Sequence, residues 1–421
     1  MLLLLDNEMK LTLQNFAKID HADIILDGLT VIAGENNTGK STIGKVLFSV
    51  FDALYYMEER KFLDKLSFVR MALYRAALKA NADFNYDEIE QQLSFFRKEH
   101  VVPSNEQLVN VFCTIAGRSS DDVDFCDVMQ KILSQRDKID NSILECRMIS
   151  NVFRSTFNQQ INSLQYPDTE ARIDLDIKKN NVRLVFRDDV CRVYNSDLKI
   201  KNKAVYLANP DVISKTRFSH GDYTQEALYS LLNESSVESS VSDSLLTEGK
   251  FVTIIQKLHS VLPGRFVTTK DNPRQIELLG CSNTLKVSNL STGLKSFALL
   301  RILIEQNKIR EKDILILDEP EIHLHPRWQV IYAEIIVLLR KEFDLTIVVT
   351  THSPYFLDAI HLYSILHGVN DSANYYLTEQ LEQGGFSLSS VTENIELIYR
   401  KMLSAVELLD TLRHKLEYNV E

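Results

Sequence analysis

The stretch "LTVIAGENNTGKST", Leu29 to Thr42, limits the possible fold more than any other part of this chain. A short apolar run leads into a glycine-bounded loop, and the loop leads into a lysine that opens a helical pattern. Gly34, Gly39, Lys40 and Ser41 meet the spacing G-x-x-x-x-G-K-[ST], which predicts a strand, a tight phosphate-binding turn and a helix in that order. Glycines let the backbone turn sharply, so successive N–H groups and the helix N-terminus face one anion. The candidate nucleotide ligands are Gly34, Asn36, Asn37, Thr38, Gly39, Lys40, Ser41 and Thr42. Lys40 is suited to the terminal phosphates and the Ser41 hydroxyl to magnesium. A glycine loop of chance composition is the alternative, and the flanking strand and helix argue against it.

A second segment, "ILILDEPEIHLHPRW", begins with four aliphatic residues, Ile314 to Leu317, that read as a strand buried on both faces. Asp318 and Glu319 close it, and two adjacent acids at such a position are costly unless they meet a cation. Asp318 is suited to the magnesium shell and Glu319 to positioning an attacking water. With Glu321, His323 and His325 they also read as a metal cluster. Magnesium prefers oxygen ligands, so the two histidines read as interface or packing residues instead. Pro326 then starts a helix, where its missing N–H costs nothing.

Two further segments carry chemistry. In "NLSTGLKSFALL", a turn containing Ser291 and Gly293 opens an apolar helix, either as a second anion site or as an ordinary N-cap. "TIVVTTHSP" ends another buried strand at His352. A lone histidine is commonly structural, but the carboxyl ends of sheet strands are where ligands gather in open α/β folds, and there it can sense a terminal phosphate.

The rest of the chain frames these segments. "MLLLLDNEMK" reads as an edge strand, and "MKLTLQNF" and "ADIILDG" as short strands. Helical periodicity from 58 to 165 predicts an all-helical insertion into a core formed by 1–57 and 166–421. "ARIDLDIKKNNVRLVFRD" predicts a hairpin turning at Asn180 and Asn181, and residues 230–250, rich in Ser and Glu, predict a mobile loop. The net charge of −11 argues against a surface coated by nucleic acid. It leaves two basic stretches, Arg60–Ala80 and Lys178–Lys203, as solvated faces or as local nucleic-acid contacts. Five dispersed cysteines with no C-x-x-C pair argue against zinc ribbons and disulfide frameworks and fit a reducing cytoplasm. No run reaches the ~20 apolar residues of a membrane span.

In this order, "GENNTGKS", "NLSTGLKS", "LILDEPEIHLHP" and "VVTTHSP" resemble the ATP-binding-cassette class of ATPase heads, and within it the RecF- and OLD-like branch of bacterial ATPases. Asn37 in place of the transporter glycine, "EIHLHP" in place of the transporter D-loop, and "LSTG" in place of "LSGGQ" point to that branch. The resemblance implies an α/β phosphate-loop NTPase head, with a mixed sheet core, an antiparallel β subdomain and an all-helical insertion. It implies ATP and Mg2+ as cofactors. It also implies a composite site, in which Ser291 and Gly293 of one subunit contact ATP held by another in a head-to-head dimer or higher oligomer. The loop with His323 and His325 would then lie at the dimer interface. A Q-loop glutamine belongs in the middle of such a chain, and the sequence does not place it.

OLD-like proteins often append a Toprim nuclease. The segment after His352 offers no clustered acids, and its "NIELIYRKMLSAVELLDTLRHKL" reads as an amphipathic helix for packing or partner binding. The chain thus resembles stand-alone ATPase subunits of anti-phage systems such as Septu, PARIS and certain retrons. The implied function is a slow ATPase switch that controls a separate effector, a nuclease or toxin, with DNA or a phage component as a further partner and no membrane. A RecF-like DNA-binding ATPase of repair or replication is the alternative. A transporter subunit is a third reading, against which the helical insertion and the "HLHP" loop argue.

Overall fold

The computed structural model describes residues 9–79, 86–117, 141–196, 198–215, 221–234, 252–267, 274–278, 280, 282–382, 384–402 and 404–418. The start of the predicted edge strand, residues 118–140 of the helical stretch expected over 58–165 and most of the loop expected at 230–250 lie outside them. The chain divides into two compact units, Ala53–Ile149 and the remainder, Met1–Asp52 with Ser150–Glu421.

In the larger unit the early strands are β1 (Met9–Phe16), β2 (Ile19–Ile25), β3 (Leu29–Ala33), β4 (Ala171–Ile177), β5 (Asn180–Arg187), β6 (Val190–Ser196) and β7 (Ala204–Leu207). A small sheet of β8 (Arg265–Val267), β9 (Gln275–Glu277) and β10 (Leu285–Lys286) follows, then β11 (Ile314–Asp318), β12 (Thr346–Thr351), β13 (Ala373–Gln380) and β14 (Phe386–Ser390). The main sheet has the order β6-β5-β4-β1-β2-β14-β13-β3-β12-β11-β7. From β13 to β7 the neighbours are parallel, and from β6 to β2 they are antiparallel. The sequence dictates this division. β3 is buried at all five residues, as parallel strands covered on both faces must be, whereas β4 and β5 alternate and face the core on one side only.

The labelled helices are α1 (Lys40–Tyr55), α2 (Met57–Lys79), α3 (Tyr86–Lys98), α4 (Asn105–Ala116), α5 (Asn141–Thr156), α6 (Tyr223–Asn233), α7 (Thr292–Glu305), α8 (Pro326–Phe343), α9 (Pro354–Leu366), α10 (Glu396–Met402) and α11 (Ser404–Tyr418), and residues 252–261 are helical as well. Core residues of α7, α8 and α9, among them Phe297, Ile336 and Phe356, join Val31, Leu315 and Val349 of the parallel strands in one apolar cluster. The amphipathic tail forms two helices rather than one, and Leu408, Leu409, Leu412 and Leu416 on α11 are exposed.

In the smaller unit α2, α3 and α4 share a core of Phe62, Val69, Leu73, Leu93, Leu108 and Phe112. A capping box of Ser104 and Gln107 opens α4, and Gly117 closes it in the left-handed region. Some of the charge on the basic stretches is paired. Lys61 pairs with Glu58 and Glu145, Arg70 with Glu90, Arg183 with Asp174, and Lys203 with Glu234.

Two details differ from the sequence pattern. The β4–β5 turn is Lys178–Lys179, with Ile177 already paired to Asn180. That register sets Asp174 against Arg183 and Asp176 against Asn181, and both pairs bond at 2.6 Å. The units divide at 52/53 and 149/150, whereas periodicity alone would place the boundaries at 57/58 and 165/166. At the second boundary the last turns of α5 belong to the β core, because Phe153 packs on Phe16, Phe157 and Phe186. Phe153 is fully buried, so Phe153→Ala should lower stability by about 3–5 kcal/mol. Urea denaturation followed by tryptophan fluorescence and circular dichroism would measure it.

Candidate functional site

The parallel register gathers three strand ends at one edge of the sheet. Ala33 of β3 lies opposite Thr351 of β12, and Asp318 of β11 lies opposite Thr350. The phosphate loop leaves Ala33 and enters α1 at Lys40. Gly34 sits at φ +152°, where a side chain would run into the Thr378 hydroxyl, and Gly39 sits at φ +89°, where a Cβ would stand 2.5 Å from Ile19. Asn37 takes the left-handed conformation at φ 68°, which asparagine tolerates, and its Oδ1 accepts a bond from Lys18 Nζ. Asn36 is exposed, and the Thr38 hydroxyl donates to the Glu35 carbonyl and accepts from Thr378. Lys40 is buried, its Nζ donating to the carbonyls of Gly34 and Glu35 and standing 3.2 Å from Glu319 Oε1.

Three hydroxyls hold Asp318. Its Oδ1 accepts from Ser41 at 2.9 Å and from Thr350 at 2.6 Å, and its Oδ2 accepts from Tyr206 at 2.6 Å. Burial, with the neighbouring Asp318 charge, pushes the Tyr206 hydroxyl well above its ordinary range, so it stays a donor. Glu319 lies at φ 48°, a conformation uncommon for its residue type, and two bonds from its N–H to the carbonyl and hydroxyl of Thr350 hold it there. His352 Nδ1 stands 3.5 Å from Glu319 Oε1 and 3.8 Å from Glu321 Oε1.

A cavity of about 330 Å³ opens beside the phosphate loop, with Asn37, Lys40, Ser41, Lys45, Gln160 and Glu319 among its lining. A neighbouring cavity of about 440 Å³ shares Lys18, Asn37 and Leu164 with it and is lined by Gln165, Gln380 and Phe386. One chain thus brings Lys40, Ser41, Asp318, Glu319 and His352 together. Ser291 and Gly293 line neither cavity. Ser291 is exposed and its Oγ caps α7 by accepting from Leu294 N, while Gly293 is buried, with the His323 carbonyl 2.7 Å from where a Cβ would be.

The oxygens of Ser41 and Asp318, ringed by further hydroxyls, fit a hard divalent cation such as magnesium. The histidines after them do not join that set. His325 caps α8 through Nδ1, and no cluster of three or more His, Cys, Asp or Glu able to hold a metal occurs among the described residues. Sequence reasoning missed Tyr206, Thr350 and Thr378, which lie on ordinary strand segments. It also missed Gln160, a glutamine just past α5 that the fold carries to the cavity. Glu321 stood in the quoted motif only as a member of the metal-cluster reading, and it bonds to β12 instead.

Residues 9–357, most of the chain, match the model of the AAA ATPase domain family AAA_15. The chain belongs to that family. As an AAA ATPase domain it is a nucleotide-binding phosphate-loop NTPase with a mixed α/β fold. It is 27% identical over 147 residues to the Septu protein PtuA of Bacillus thuringiensis, covering 31% of this chain and 36% of that protein. It is 31% identical over 132 residues to the "Retron Ec83 probable ATPase" of Escherichia coli, covering 28% and 24%. The chain therefore spans only about a quarter to a third of these relatives' own length. It is also similar to an SMC head bound to the C-winged helix domain of ScpA, with 14% identity, a TM-score of 0.44, and coverage of 93% of this chain and 99% of that one. For the SMC head domain of Thermotoga maritima the identity is 14% and the TM-score 0.39, over 91% and 98% of the two chains.

Glu321 offers a test of the site's electrostatics. Burial raises its carboxyl above the ordinary 4.5, although Thr351 and His352 N–H bond to it. A raised pKa means the folded state binds the extra proton, so stability present below about pH 4.5 is lost as the pH rises through the folded value. Glu321→Gln removes that titration, and its stability relative to the parent should rise with pH. Urea midpoints of the two proteins between about pH 4 and pH 8 would measure this, and parallel curves would refute it.

Proposed function

We propose that this protein is an ATP-hydrolysing switch that closes as a head-to-head dimer around ATP and controls a separate effector in bacterial anti-phage defence. The observation that carries the proposal is the division of the motif residues. Lys40, Ser41, Asp318, Glu319 and His352 converge in one chain, and the exposed Ser291 turn stands apart from both cavities beside the phosphate loop. A turn with that motif and no ligand role in its own chain fits completion of the site by a second subunit. In this mechanism Lys40 turns from the loop carbonyls to the terminal phosphates. Ser41 and Asp318 would hold magnesium, which would supply charge neutralisation on the phosphoryl oxygens. Glu319 orients the attacking water, with His352 at its side to register the γ-phosphate. Gln160 is the glutamine the fold class leads one to seek, and the second cavity has the size for the nucleoside, with Phe386 and Leu164 for a base and Lys18, Asn37, Gln165 and Gln380 as its polar groups. The defence role and the separate effector are supported by the likeness to the Septu and retron proteins. The RecF-like reading has less support, since acidic partners meet Lys61, Arg70 and Arg183 in the stretches it needs.

Glu319→Gln should bind ATP, accumulate as the closed dimer and hydrolyse about 100-fold more slowly or worse. Single-turnover assays and light scattering would measure both effects, and a wild-type rate would remove Glu319 from this role. Ser291→Arg should retain ATP binding by calorimetry while losing ATP-dependent dimers, and a variant that still dimerises would leave Ser291 as an N-cap alone.

A further inference from the structure

Resting on that reading of the site, we propose that Glu321 is a positioning residue for hydrolysis: its buried carboxylate holds the end of β12 so that His352 stands beside Glu319. Glu321 is 1% exposed, three residues beyond Asp318. Its Oε1 accepts from Thr351 Oγ1 at 2.5 Å and from His352 N at 3.0 Å. The connection continues through a second residue. Gln329 on α8 donates from Nε2 to the carbonyls of Glu321 and Leu324, and its Oε1 accepts from Ser353 Oγ at 2.8 Å. Ser353 N in turn donates to Thr351 Oγ1 at 3.0 Å, which closes the ring. Thr351, His352 and Ser353 are therefore each bonded, and the segment is fastened to the loop after β11 at both its ends.

Glu321 Oε2 is the second observation. It is buried and has no hydrogen-bond partner. Burying a carboxyl with one oxygen unmatched is costly, and a neutral side chain could tie two strands together at less cost. What the carboxyl adds is its place, with Oε1 3.8 Å from His352 Nδ1 while Glu319 Oε1 is 3.5 Å from the same nitrogen. One nitrogen of the otherwise exposed imidazole thus faces both glutamates. Loss of the Glu321 anchor frees His352 to swing from Glu319 without touching the phosphate loop.

The test starts from ATP turnover that Lys40→Ala abolishes, which checks the site reading separately. Glu321→Ala should then lower kcat by about 10- to 100-fold while KM for ATP stays within about 3-fold. Glu321→Gln should restore most of the rate, because its Oε1 can accept both bonds. In a His352→Ala background Glu321→Ala should cost nothing more, as expected of residues acting through one another. If Glu321→Ala does not fold, Gln329→Ala opens the other side of the ring and should lower kcat about 5-fold, again without further effect on top of His352→Ala. A wild-type kcat in both variants, a loss confined to KM, or losses that multiply in the His352→Ala background would overturn the proposal. If the parent shows no turnover, the site reading fails, and the positioning claim is decided by the ring nitrogen resonances of His352, assigned by their loss in His352→Ala. They should shift in Glu321→Ala and return in Glu321→Gln, and resonances unmoved in Glu321→Ala would overturn it.

Discussion

The site depends on one register, that of β3, β12 and β11 lying parallel with Ala33 opposite Thr351 and Asp318 opposite Thr350. Parallel pairing puts all carboxyl ends on one edge, and this phase sets the phosphate loop, the strand-end acids and His352 at the same height. Thr350 ties the strands there. Its hydroxyl donates to Asp318 and accepts from Glu319 N–H, so one side chain on β12 orients two acids on β11. A slip of one residue would turn that hydroxyl to the opposite face of the sheet.

Local strain is held against this frame. Glu319 and Asn37 both take left-handed backbone, and each is fastened, Glu319 by Thr350 and Asn37 by Lys18. Such conformations persist only where surrounding bonds over-determine them. The acids are similarly enclosed: Asp318 by three hydroxyls, Glu319 by Lys40 and His352, Glu321 by β12. Each of these three acids faces at least one donor, and Glu321 Oε2 is the oxygen left unmatched.

Much of this was legible in the chain. "LTVIA" before the glycine loop and Pro326 after the histidines marked a strand end and a helix start, because full burial and a missing N–H leave direct compositional traces. Tyr206 left no such trace. In "AVYL" it looks like any core aromatic, and only the pairing of β7 beside β11 brings its hydroxyl to Asp318. The β4–β5 turn was misread for a related reason. Asn-Asn is a good turn pair locally, but Asp174–Arg183 and Asp176–Asn181 contacts across the strands favour a turn two residues earlier.

The sequence by itself determined the phosphate loop, the acids that end an apolar strand and the alternation of buried strands with helices. These are local consequences of residue size, backbone freedom and burial. The tertiary structure alone decided that the α5 end belongs to the sheet core, that Gln160 reaches the cavity, and that Glu321 serves β12 rather than a metal. Those facts depend on contacts between segments distant along the chain. No local pattern encodes such contacts, because which partner meets a buried polar atom is settled only when the strands pair.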